Sequence, residues 1–181
     1  MKNRYLLIAG GVDKKGIVYN LTRVLKKHGF NIEDSSMVML RRTFSVIMLL
    51  SAEGAYDIRK FDPEISVFSK KFGMTMELKK ITEKEMREYG GEGRAFTISI
   101  SGADKPGIVN SIAGVLFKAG ANIVDLETKS SERVKPHAYY MFLEAELPKK
   151  ADLKKLEAAL AREGKKLGVH VSISEVEKAI L

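Results

Sequence analysis

Two hydrophobic periods alternate along the chain. Residues 5–11 (YLLIAGG) form a short apolar run closed by two glycines, the pattern of a buried strand. Ile17, Val18, Leu21, Val24 and Leu25 then recur at i, i+1, i+4, i+7 and i+8. That spacing is one face of a helix, which Gly29 ends. A strand beginning at about Phe30 continues through the apolar residues 37–40, and a second apolar run at 44–51 follows after Arg41-Arg42-Thr43, which predicts a hairpin. Asp62-Pro63 reads as a helix cap with a first-turn proline, ahead of an apolar face at Ile65, Phe68 and Phe72. Residues 74–78 alternate as a fourth strand. The predicted order is β-α-β-β-α-β.

The second half repeats this order. Asp-x-x-Gly-Ile-Val occurs at Asp13-Lys14-Lys15-Gly16-Ile17-Val18 and again at Asp104-Lys105-Pro106-Gly107-Ile108-Val109, 91 residues on. The register holds without a gap through Gly29 and Gly120, Asn31-Ile32 and Asn122-Ile123, and Asp34 and Asp125. Later the offset grows to 93 at Ser51 and Glu144, so the hairpin at residues 131–136 is expected to be two residues longer. It reaches 95 at Gly73 and Gly168. A repeat of this length is a duplicated domain.

The expected fold class is therefore α+β: two ferredoxin-like βαββαβ domains, each an antiparallel sheet with both helices on one face. The expected domains are residues 1–81 and 94–181. The linker, residues 82–93, carries the glycines at 90, 91 and 93 and a Thr82–Glu85 capping box. The apolar first strands, residues 5–11 and 95–101, are expected to be sheet edges that join the two sheets. Met37, Met39, Met48, Met74 and Met76 are expected to fill the core or a sheet interface.

Composition narrows the chemistry. There is no cysteine, which removes disulfides, thiolate metal sites and a cysteine nucleophile. His28, His137 and His170 do not recur at matching positions and lack metal-ligand spacing. No catalytic residue, metal site or cofactor is expected. No apolar stretch is long enough for a membrane span, and residues 1–12 read as a strand rather than a signal peptide, so a cytoplasmic protein is expected. The net charge is +8, with +6 on residues 1–90 and +2 on residues 91–181. A lysine-rich solvated surface explains it more simply than nucleic-acid binding. Together with 30% charged residues and no Gln, Cys or Trp, it also suits a thermophile surface.

The repeated motif carries the candidate chemistry. Gly16 and Gly107 let the backbone approach a ligand, and the following helix N-terminus offers free amide N–H groups to a carboxylate. Asp13 and Asp104 can pair with an ammonium group or cap the helix. The side-chain amides of Asn31 and Asn122 both donate and accept. The set fits an amino acid. It equally fits a turn with no ligand, since Asp, Gly and Asn are common turn residues.

Asp-Lys-Pro-Gly-Ile-Val at residues 104–109 with Gly-Ala-Asn-Ile-Val-Asp at residues 120–125 resembles the ACT domain. The subgroup is the one seen in glycine cleavage system transcriptional repressors and at the N-terminus of formyltetrahydrofolate deformylases. The resemblance covers nearly the whole chain as two copies, and Phe142 to Pro148 adds to it. It implies a small-molecule-sensing module with ligand held at an interface of paired domains. The implied ligand residues are Asp13, Gly16, Ile17, Asn31 and Ile32, with Asp104, Gly107, Ile108, Asn122 and Ile123 in the second copy. Lys15 departs from Pro106, and Arg23 and Lys26 from Gly114 and Phe117, which favours the second copy as the ligand site.

The expected function is a non-enzymatic amino-acid sensor acting on a partner protein or in transcriptional or metabolic regulation. Partner contacts or a homodimer would form through sheet edges or helix faces. The alternatives are a ligand-free interaction module and a nucleic-acid-binding domain. The latter needs aromatics on both central strands in a basic-Gly-aromatic pattern, which Arg42-Thr43-Phe44 and Tyr139-Tyr140 do not supply.

Overall fold

A computed structural model describes residues 2–87, 93–131 and 137–176, the side chain of residue 87 excepted. They belong to two compact units, Met1–Tyr89 and Gly90–Leu181. The glycines at 90 and 91, residues 132–136 of the second hairpin and the tail 177–181 lie outside the described residues.

The first unit runs β1 (Lys2–Val12), α1 (Ile17–Lys27), β2 (Asn31–Leu40), β3 (Thr43–Glu53), α2 (Asp62–Phe72) and β4 (Met74–Ile81). A short helix α3 (Glu83–Arg87) follows, opened by the Thr82–Glu85 capping box. The second unit repeats the order as β5 (Arg94–Ala103), α4 (Ile108–Lys118), β6 (Asn122–Ser131), β7 (Ala138–Leu147), α5 (Leu153–Leu167) and β8 (Val169–Glu175). Both sheets are antiparallel, ordered β2-β3-β1-β4 and β6-β7-β5-β8. This is the ferredoxin-like arrangement, twice.

The period-2 pattern sets which side is core. Tyr5, Leu7 and Ala9 of β1 and Val46, Met48 and Leu50 of β3 face the helices and are buried with Leu21, Leu25, Phe68 and Phe72. In the second unit Ile98, Ile100, Met141 and Leu143 meet Ile112, Leu116, Leu156 and Leu160. The opposite faces differ. The first sheet presents Leu6, Ile8, Ile47 and Leu49 there, and the second presents Ser99, Ser101, Tyr140 and Phe142.

Four sequence expectations are corrected. The first strands are central: β1 bonds to β3 and β4, and β5 to β7 and β8. Placing the most apolar strand between two partners leaves no unpaired backbone on it, and the edges fall to β2, β4, β6 and β8. Asp62 is not the cap of α2. A 3₁₀ turn (Ile58–Phe61) runs into that helix, and Asp57 caps the turn by accepting the Arg59 N–H at 3.2 Å. The turn of the second hairpin is longer by four residues rather than two: Leu40 pairs with Thr43 in the first unit and Ser131 with Ala138 in the second, so Ser51 corresponds to Glu146. Of the methionines expected in the core or a sheet interface, Met48 and Met74 are core, and Met37 and Met39 are each 54% exposed on edge strand β2.

One corner of the first unit is filled by aromatic and polar side chains at the C-terminal end of α1. The rings of Phe30 and Tyr56 sit 4.7 Å apart, and that of His28 lies 5.2 Å from Phe61. His28 bridges two partners: its Nδ1 lies 2.6 Å from the Tyr56 hydroxyl and its Nε2 3.2 Å from Glu64 Oε1. An ionised carboxylate only accepts, so Nε2–H donates to Glu64. Lys27 Nζ pairs with the same Glu64 oxygen at 2.7 Å.

Hydrogen bonds from Lys27 and then His28 hold the Glu64 carboxyl below its usual range, against the opposing effect of burial. A depressed folded value means the stabilisation is present above the unfolded pKa. It is lost as pH falls through the folded value. Glu64→Gln is therefore expected to lower the urea midpoint at neutral pH and to converge on the parent protein as pH falls through the depressed folded value. A difference that persists unchanged in acid contradicts this account.

Two helix glycines should respond oppositely to alanine. At Gly164 in α5 an added Cβ would lie 2.7 Å from Val171 Cγ2 and 3.0 Å from the Val169 carbonyl, so the helix must lift from β8. At Gly114 in α4 nothing lies within 4 Å. Gly164→Ala is expected to destabilise by about 1–3 kcal/mol, and Gly114→Ala to stabilise by up to about 1 kcal/mol, in urea denaturation.

Candidate functional site

Both units pass from first strand to first helix in the same way. The Asp13 N–H donates to the Arg42 carbonyl, and the Asp104 N–H to the His137 carbonyl, each at 2.8 Å. The loop is thereby fixed to the turn between the second and third strands. Gly16 (φ 88°) and Gly107 (φ 92°) then stand directly before α1 and α4. Side chains disfavour that left-handed region by about 1–2 kcal/mol, which is why glycine occurs there twice.

The helix starts are open. Neither has a side-chain cap, and neither has an acidic residue in its first turn. The carbonyl of Gly16 accepts from the Asn20 N–H and the Asn20 side-chain amide, and that of Gly107 from the Ser111 N–H. In the first unit the Ile17 N–H donates to the Lys14 carbonyl at 3.4 Å; the other first-turn N–H groups receive no side-chain cap and retain their affinity for an anion. In the first unit the loop borders a groove of about 220 Å³, walled by Tyr19, Met37 and Met39.

The aspartates differ between units. Asp104 Oδ2 accepts from the Ser130 hydroxyl at 2.7 Å. In the matching place of the first unit stands Met39, and Asp13 has no side-chain partner among the described residues. Ser130 was not singled out from sequence. Its signal was the antiparallel register that brings the end of the second strand back beside the first loop. Lys105 Nζ donates to the Leu167 carbonyl at 2.9 Å, satisfying the end of α5. Burial and the Asp104 charge both push the Tyr139 hydroxyl above its usual pKa.

Not all predicted site residues are brought together. Ile17 and Ile108 are 2% and 1% exposed, so their side chains belong to the core and only their backbone faces the loop. Asn31 and Asn122 are exposed at the start of β2 and β6, level with Ser51 and Glu146. Ile32 and Ile123 follow, each just before a register shift in its strand. These positions lie at the opposite end of the sheet from the loop. Asn31 is level with Arg4 through Ser51, whereas Asp13 follows Val12, eight residues further along β1. At the rise of a strand that is about 26 Å. One sheet does not present both groups to one small ligand.

Among the described residues no group of His, Asp or Glu is placed to hold a metal ion, and no helix is long and apolar enough to cross a membrane. The His28 network escaped sequence reading because its partners lie 28 and 36 residues away along the chain.

The family model described as "ACT domain" matches residues 4–79 and 94–174. The chain is 26% identical over 176 residues to the glycine cleavage system transcriptional repressor of Escherichia coli, covering 95% of this chain and 90% of that protein. A UPF0237 protein of Pyrobaculum aerophilum is 36% identical over 81 residues, 44% of this chain and 86% of its own length. A solved structure of an unknown protein from Galdieria sulphuraria superposes with a TM-score of 0.80 at 25% identity, over 98% of this chain and all of that one. With one family model matched twice over most of its length, and with its βαββαβ units in the same two places, the chain belongs to the ACT domain family as a tandem pair.

Proposed function

We propose that this tandem ACT protein is a non-enzymatic regulatory protein that binds an amino acid at its strand-to-helix loops and passes the bound state to a partner. The supporting observation is the loop itself: a left-handed glycine and an uncapped helix start beside an aspartate, built twice. The amide N–H groups suit a carboxylate, and the aspartate suits an ammonium group. The second unit is the stronger candidate, because Ser130 orients Asp104. Gly107 and the Ile108 backbone would meet the carboxylate there, with Gly16 and Ile17 in the same place in the first unit.

Asn31, Ile32, Asn122 and Ile123 enter the proposal as contributions from a second copy of the chain, since each lies some 26 Å along the sheet from its own loop. Binding is then coupled to dimerisation. The similarity to a glycine cleavage system transcriptional repressor supports a regulatory role and places transcriptional or metabolic control among the outcomes to test.

A specific feature also favours a protein contact. Edge strand β2 exposes Met37, Val38, Met39 and Leu40 at 54–70% of their surface, on both of its faces. Exposed apolar strand edges are uncommon unless something covers them. Nucleic acid is not proposed: the open face of the second sheet carries aromatics on β7 only, beside Asp125, Glu127 and Glu144.

Calorimetry and thermal unfolding against the twenty amino acids test this reading. A cognate ligand at about 100 times its dissociation constant is expected to stabilise the protein by about 2.7 kcal/mol. Asp104→Ala should remove most of that gain and Asp13→Ala less, and ligand should shift sedimentation toward the dimer. A folded sample that responds to none of the twenty leaves only the interaction module.

A further inference from the structure

The duplication lets the two units be compared position by position at the C-terminal end of their first helices. In the first unit this corner is closed by the His28–Tyr56–Glu64 network. Gly29 matches Gly120, and Gly73 matches Gly168. Through those anchors His28 becomes Ala119, Tyr56 becomes Ala151 and Glu64 becomes Ala159. Every member of the network is alanine in the second unit. Tyr5, whose hydroxyl accepts the Tyr56 N–H at 3.0 Å, becomes Phe96, which cannot accept.

The space is not refilled. Ala119, Ala151 and Ala159, with Leu156 beneath them, line a groove of about 270 Å³ between α4 and α5. Removing buried rings costs several kcal/mol when nothing replaces them. Yet the cation of the network is retained. Lys27, which pairs with Glu64, becomes Lys118 at the rim of the groove. Lys118 has no carboxylate partner among the described residues. Lys155 stands across the rim, and one oxygen of the neighbouring Asp152 is committed to capping α5. The second unit therefore keeps the positive charge and lacks both the rings and the carboxylate that answer it in the first.

We propose that this groove binds a small aromatic carboxylate. Its ring takes the space that Tyr56 and His28 fill in the first unit, and its carboxylate pairs with Lys118 as Glu64 pairs with Lys27. Apolar walls with a few charged groups at the rim are the usual composition of such sites. The groove is distinct from the loop at Gly107, because the 11 residues of α4 separate them by about 16 Å. It stands whether or not the loop binds an amino acid.

The test is a titration of the full chain, labelled at alanine methyls, with phenylacetate and separately with benzyl alcohol. Saturable shifts are expected at Ala119, Ala151 and Ala159 with phenylacetate, and affinity for benzyl alcohol about five-fold weaker or less. Lys118→Ala, a change at an exposed residue, should weaken phenylacetate by about five-fold, and Ala151→Tyr should abolish the shifts by refilling the groove. The proposal is overturned if phenylacetate up to about 10 mM leaves these methyls unmoved. Equal binding of the alcohol, or unchanged binding in Lys118→Ala, overturns it as well.

Discussion

Each sheet in this protein is covered by helices on one side only, and the rest of the structure follows from that one-sided burial. Four strands and two helices enclose a single layer of apolar side chains. The alternation along β1, β3, β5 and β7 is the direct record of it. The strand with most to hide goes to the centre, where both rows of backbone groups are paired. What cannot be covered is left at the edge, and β2 carries exposed methionines there. The duplicated units then diverge where the constraint is weakest, on the open sheet faces and at the corner beyond the first helix.

The same architecture gives the first loop its chemical character. A strand that ends at the top of the sheet must reverse into a helix lying over it within four residues. The left-handed glycine makes that reversal, and it places no side chain over the helix start. An aspartate three residues ahead of the glycine could have capped the helix, but in neither unit does it do so. In the second unit its carboxylate is held by Ser130 instead. The loop is thus a turn that satisfies the fold and leaves helix-start amides beside a carboxylate, which is the physical basis for proposing a ligand there.

The architecture could be read from the sequence because it rests on periodicity, and periodicity survives without coordinates. The helix at residues 17–27 and its terminating Gly29 followed from a 3.6-residue spacing, and the duplication from the 91-residue register. Strand order could not be read, because hydrophobic pattern does not say which partner a strand takes. The first strands were expected at the edge and lie at the centre. At the candidate site, the loop residues were identifiable by their spacing. The separation of Asp13 from Asn31 was hidden, since it depends on which end of the sheet each strand begins. Pairings across 26 or more residues, Ser130 with Asp104 and His28 with Glu64, have no local signal at all.

The central claim is that the glycine-started helix ends receive the carboxylate of an amino acid. Amide chemical-shift mapping of the full chain addresses it at the atoms concerned. On addition of a cognate amino acid, the backbone N–H groups of Gly107, Ile108 and Val109 should show the largest downfield shifts, as expected for amides that gain an anionic acceptor. An amino acid that binds and saturates while leaving those three amides unmoved would contradict the account.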